Sequence, residues 1–304
     1  MDLPKPRSPL TLNTVRQPFG IRIPGHVSCG LCILATVNAF FAASLPAQAA
    51  DPKPQPSAQK ESETSQSSGV ASDLVRFVKE AVGVFSPTNE VITLFNGRDL
   101  SHFYTWVKDL GTYVDPDPVF SVKDGLLHIT GKRLGYLATQ HQYSDYRLVV
   151  EYKWGELTFA PRVSHPRNSG VFVHATGLDK IWMKGLECQI AEGNTGDVVL
   201  HDGAKLTVNG ETQSKPWSEF HRSPTNEVEF VHGKWNVMEI VCEGGRVQVK
   251  VNGHITLDGV SSAPNYGKIL FQSNGAEIFF RRIELFPIKY DKSKAPPAKK
   301  PETK

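Results

Sequence analysis

RVQVKVNGHITL, Arg246 to Leu257, decides the fold. Val247, Val249 and Val251 alternate with polar residues, and side chains in a strand alternate faces with period two. Asn252-Gly253 supplies the two positive-φ residues of a tight hairpin turn. Working outward, the same texture recurs: VITLFNG, LLHIT, YLATQ, YRLVVEYKW, GVFVHAT, LECQIAEG, DVVLHDG, KLTVNG, WNVMEIVCEGG, KILFQS and AEIFFRRIELFPI. These runs are rich in Val, Ile, Phe and Tyr and are bounded by Gly, Asn, Asp and Pro. Short strands with turn signals and no helices between them predict an all-β sandwich of two antiparallel sheets, a jelly roll with one concave face left free.

The flanks read differently. Residues 1–50 resemble an export signal: a basic stretch ends near Arg22 and His26, an apolar run follows (Cys29–Leu45), and Ala47 and Ala49 make a small-x-small cleavage pattern. Cleavage after Ala49 or Ala50 is expected, with a retained membrane anchor as the competing reading. The mature chain is then exported (periplasmic, cell-surface or secreted), with no stable membrane insertion. Residues 51–70 are Pro, Ser, Gln and charge, a linker that cannot bury itself. In 71–86, Leu74, Val75, Val78 and Val82 recur at helical spacing behind Ser72 or Asp73, predicting a short helix. The sandwich then occupies 87–288 and a Lys/Pro tail 289–304.

The formal charge is +3. Four basic residues and one acid in 1–50 account for all of it, so the remainder is neutral. A neutral mature chain gives no electrostatic case for nucleic acid. Two of the four cysteines leave with the signal; pairing of Cys188 with Cys242 is left open by the sequence.

Chemistry concentrates in the middle third. In GLECQIAEG (Gly185–Gly193), Glu187 and Gln189 share one strand face while Cys188 and Ile190 take the other. Arg162, His165, Arg167, Asn168 and Ser169 precede GVFVHAT, on which Phe172 and His174 share a face by simple alternation. Trp182 and Lys184 precede Glu187, and His201 and Asp202 follow the run DVVL. A carboxylate, amides, histidines and a tryptophan close in sequence suit a sugar: planar groups for hydroxyls, an aromatic face for a ring and an acid or base nearby. A one-sided sheet always has a polar face, so each residue alone reads as solvated. No HxH, CxxC, HExxH, GxSxG, P-loop or GxGxxG is present. No cofactor is indicated; convergence of His174, Glu187 and His201 on a divalent metal is left open.

ITLFNGRDLSHF (Ile92–Phe103), RNSGVFVHA (Arg167–Ala175), KGLECQIAEG (Lys184–Gly193) and LFQSNGAEIFFRRIEL (Leu270–Leu285) resemble, in order and spacing, the 3-keto-disaccharide hydrolase family. The likeness runs from about Val91 to Pro287. It implies a concanavalin A-like, laminin-G-like jelly roll, exported and acting on sugars whose C3 hydroxyl is oxidised to a ketone. Where the family reads Q-D-H-G, this chain has Gln272-Ser273-Asn274-Gly275. Arg281, in FFRRIEL, matches the arginine of the family's F-R-N-I, and Arg282 replaces the asparagine.

A 3-keto group acidifies the C2 proton. A base removes it, the C1 substituent leaves by elimination, and water adds back. The expected roles are Glu187 or His174 as base, with Asn168, Gln189, His201, Trp182, Lys184, Gln272 and Arg281 binding the sugar. The expected partners are a carbohydrate substrate and a separate sugar 3-oxidoreductase that supplies it. The alternative is a non-catalytic, lectin-like carbohydrate-binding module of the same fold.

Overall fold

The computed structural model describes residues 83–289. The expected signal peptide, linker and Lys/Pro tail, and most of the expected helix over 71–86, lie outside these residues. The end of that helix is not helical: Val84–Phe85 is a strand, pairing parallel with Gln142–Tyr143. No helix occurs among the described residues, so none is long and apolar enough to cross a membrane.

Two antiparallel sheets carry the fold, their strands numbered in chain order. One runs, edge to edge, β15 (Trp217–Phe220), β12 (Val198–His201), β11 (Lys184–Ala191), β10 (Asn168–Thr176), β19 (Lys268–Ser273), β7 (Gly135–Thr139), β3 (Phe103–Val107) and β4 (Gly111–Thr112). The other runs β14 (Glu211–Gln213), β13 (Lys205–Val208), β18 (His254–Ala263), β17 (Arg246–Val251), β16 (Asn236–Glu243), β9 (Tyr146–Thr158), β20 (Ala276–Phe286), β6 (Leu126–Ile129) and β5 (Phe120–Lys123). β2 (Ile92–Thr93) pairs with β20, and the parallel pair at 84–85 and 142–143 is β1 and β8.

The expected hairpin forms. Val251 pairs with His254, and Asn252 and Gly253 take φ of 48° and 87°, as a primed turn requires. Val247, Val249 and Val251 are fully buried. The core lies between the sheets. Val171, Cys188, Ile190 and Phe271 come from one side; Val150, Ile240, Val249 and Phe280 come from the other. The Phe271 and Phe280 rings meet edge to face at 5.3 Å, a preferred aromatic geometry. Cys188 and Cys242 are both buried and free, so no disulfide joins them.

The outer face of the first sheet carries a smaller apolar cluster: Tyr104, Tyr136, Ala138, Phe172, Ala175, Met183 and Leu270. The segment 177–183 is strapped over it. Tyr104 and Tyr136 donate to Asp179 Oδ1 at 2.6 and 2.8 Å, and Met183 is buried beneath. Burial, then the Asp179 carboxylate, raises both phenol pKa values. The strap and the apolar cluster beneath it occupy one side of the outer face, leaving the β11–β12–β15 side for a site.

Candidate active site

β11 places Leu186, Cys188 and Ile190 in the core and Glu187 and Gln189 on the outer face. Glu187 is only 2% exposed. Its Oε2 lies 2.7 Å from His201 Nε2 on β12, and its Oε1 accepts from Gln272 Nε2 on β19 at 2.8 Å. To reach Gln272 the Glu187 side chain crosses β10 at Gly170, where a Cβ would collide with the carboxyl. His201 stacks between Phe172 (5.0 Å between centroids) and Trp182 (5.3 Å). The carboxylate is thus fixed by a histidine, an amide and two aromatic walls, in a medium where such bonds are stronger than in water.

Glu187 forms part of the lining of a cleft of about 210 Å³. Asn168, Gln189, Gln272 and Asn274 give it a polar lining, and Trp182, Trp217, Arg162 and Glu219 line it further. Asn274 donates to Asn168 Oδ1 at 2.6 Å, and Asn168 Nδ2 stands 3.5 Å from Gln189 Oε1. Arg162 comes from the loop 159–167, held where Phe159 N donates to Gly275 O at 2.7 Å. Two buried atoms of this lining have no protein partner, the acceptor Gln272 Oε1 and the donor Arg162 Nε. Buried polar groups are nearly always satisfied, so these two atoms stand out among the described residues.

Glu219 shares a cross-strand row with Val199, Glu187 and Phe172, and residues directly opposite in a sheet share a face. Burial pushes its carboxyl above the usual range; nearby Asp197 and Glu187 add to this and His221 opposes it. His221 is itself raised, chiefly by its bond to Asp197.

The 3-keto-alpha-glucoside-1,2-lyase-like domain family matches residues 90–285, almost all of the described sandwich. The chain belongs to this family. Membership places the cleft in a carbohydrate-active family. Among solved structures, a Parabacteroides distasonis protein given provisionally as a glycosyl hydrolase is 21% identical, with TM-score 0.45, covering 66% of this chain and 100% of its own. A Bacillus licheniformis β-glucanase is 10% identical, with TM-score 0.42, covering 65% and 97%. A carbohydrate-binding module of family 66 from Bacillus subtilis is 11% identical, with TM-score 0.36, covering 66% and 98%. No curated protein matches the chain in sequence.

In this family member the cleft gathers six of the nine residues expected from sequence: Glu187, Gln189, Asn168, His201, Trp182 and Gln272. Three lie elsewhere. His174 does not share a face with Phe172. The β10 register slips by one residue after Val173 against both neighbours, and His174 takes φ 57°. This bulge hands the outer position to Ala175 and turns His174 toward Tyr146 (6.2 Å between rings) and Ser262 Oγ (3.4 Å), fully buried. With it goes the metal set His174, Glu187 and His201. Arg281 belongs to β20 in the opposite sheet, where it pairs with Glu151 at 2.5 Å and stacks on Trp235 at 4.4 Å. Lys184 opens β11 outside the cleft lining; its carbonyl accepts from Thr176 Oγ1 at 3.5 Å. Trp217 and Glu219, not singled out in the sequence, enter through β15, a four-residue edge strand. The alternation of Trp217 and Glu219 within WSEF was the available signal.

Proposed function

We propose that this cleft cleaves 3-keto-glycosides by elimination across C2–C1 followed by hydration. Glu187 is the base. It takes the C2 proton, the C2–H electrons form the C1=C2 bond as the C1 oxygen substituent departs and takes a proton from water, and charge builds transiently on the C3 oxygen. Hydroxide from that water then adds at C1 and Glu187 returns the proton to C2. The observation that carries this reading is a carboxylate fixed by His201 and Gln272 in a cleft lined by amides, a cation and a tryptophan. Family membership supports the 3-keto class of substrate. Arg162 lines the cleft and is the cation suited to the enolate oxygen, where a preorganised cation contributes most. Asn168, Gln189 and Gln272 orient hydroxyls, and Trp182 walls the ring. The described sandwich is read as a concanavalin A-like jelly roll with its site on the free face.

The test is release of a chromogenic leaving group from a 3-keto-glucoside and from the unoxidised glucoside. Release from the keto substrate alone is expected. Glu187→Gln is expected to lower kcat by about 10²–10⁴-fold, with circular dichroism unchanged. Release from both substrates, or full activity in Glu187→Gln, overturns the reading. Binding without release supports the lectin-like alternative, which the exposed faces of Trp182 and Trp217 favour. Such a substrate needs an upstream oxidation at C3, so a separate sugar 3-oxidoreductase is part of the proposal. The export signal expected over residues 1–50 supports a reaction outside the cytoplasm; a mature N-terminus near Asp51 in an exported fraction is the expected finding.

A further inference from the structure

Asp197, Glu219 and His221 form a second cluster at the cleft rim, unused by the elimination chemistry. One imidazole nitrogen and two carboxylate oxygens lie within 4.8 Å of one another. The sheet builds this. β12 and β15 pair Val198 with Phe220, and one further step of the same register sets Asp197 opposite His221. Period two puts both on the face that carries Glu219. His221 Nδ1 is 3.1 Å from Asp197 Oδ2 and 3.7 Å from Glu219 Oε1.

The burial of the three differs in a useful way. The Asp197 side chain is 3% exposed, Glu219 23% and His221 77%. Asp197 is anchored, its Oδ1 accepting from Arg222 N at 2.8 Å and its carbonyl from Gln189 N at 2.9 Å. The Asp197 and Glu219 carboxylate oxygens also lie within 4.8 Å of each other. Two carboxylates this close, one of them buried, favour a positive occupant or a proton between them, because like charges at that range oppose joint ionisation. A solvent-facing imidazole supplies one charge against two.

We propose that Asp197, Glu219 and His221 bind a divalent transition-metal ion of the Mn²⁺, Co²⁺ or Zn²⁺ class. One nitrogen and two carboxylate oxygens suit that class, whereas Ca²⁺ and Mg²⁺ favour all-oxygen sites. Three protein ligands leave coordination positions open. Glu219 lines the cleft, so those positions adjoin the space a sugar would fill and can take a pair of its oxygens. The Arg222 amide on Asp197 is the kind of outer partner that orients a ligating carboxylate. The site is distinct from the set anticipated from sequence and does not depend on the role proposed for Glu187.

The experiment is metal titration of the full chain after chelator treatment, with Mn²⁺ followed by loss of its free electron-paramagnetic signal and Zn²⁺ by calorimetry. One bound equivalent is expected. His221→Ala removes a solvent-facing ligand with little effect on folding, and Asp197→Asn keeps the shape of the buried one. Each is expected to weaken binding at least by the roughly 10–100-fold that losing an outer-shell partner causes. His254→Ala, an exposed histidine outside the cluster, is expected to leave binding unchanged. Absence of a bound equivalent in the wild-type chain, or wild-type affinity in His221→Ala and Asp197→Asn, overturns the proposal. The readout is binding itself, so it stands or falls separately from the keto-glucoside assay.

Discussion

Gly170 directly opposes Gln189 on β11, and its missing side chain is the space through which Glu187 reaches Gln272. Gly170→Ala is therefore expected to displace the carboxylate as well as overpack the sheet. It should cost about 1–3 kcal/mol in urea unfolding and lower kcat more than it changes KM; an unchanged kcat would show that the carboxylate position is unimportant. Glu229 carries a separate electrostatic consequence. Burial raises its carboxyl to about 6, opposed by the bond it accepts from Tyr152 at 2.8 Å. The folded chain then holds a proton that the unfolded chain has released between pH 4.5 and 6. Stability linked to this group is highest below 4.5 and falls as pH rises through 6, by about 2 kcal/mol. Glu229→Gln is expected to gain on wild type across that window in parallel urea melts. A constant difference would show that Glu229 titrates normally.

At the scale of elements, the β10 bulge accounts for the misplaced histidine. Strict alternation along GVFVHAT predicts Phe172 and His174 on one face, but one extra residue against both neighbouring strands rotates position 174 inward. Period-two patterning is blind to such an insertion, since a slip of one residue exchanges faces. His174→Ala is expected to lower the melting temperature through lost packing against Tyr146 while leaving kcat on a 3-keto-glucoside within about threefold, far less than an acid–base group contributes. A loss as large as that of Glu187→Gln would restore His174 to the chemistry. The strap 177–183 gives a second element-scale expectation. Asp179→Ala releases the anchor made by Tyr104 and Tyr136 and loosens Trp182, the wall stacked on His201. KM is expected to rise more than kcat falls, with a shift in tryptophan emission; unchanged kinetics would show that the strap does not shape the cleft.

The described residues are held by a main core between two sheets. Cys188 and Cys242 lie in it from opposite sides, and burial pushes the Cys242 thiol up to about 12 and that of Cys188 well above its ordinary value. Neither is expected to react with a thiol reagent until the sandwich opens, so labelling should track the urea transition; fast labelling of folded protein would contradict the shared core. The sequence by itself determined the all-β class, the Asn252-Gly253 hairpin, the family and the Glu187/Gln189 face, because period-two alternation and turn chemistry are local properties of neighbouring residues. Only the tertiary structure decided the rest. It brought Glu219 and Trp217 to the cleft through cross-strand pairing, sent Arg281 to the other sheet, and turned His174 inward at a bulge. Register and sheet membership are set by contacts between residues far apart in the chain, and no local pattern records them.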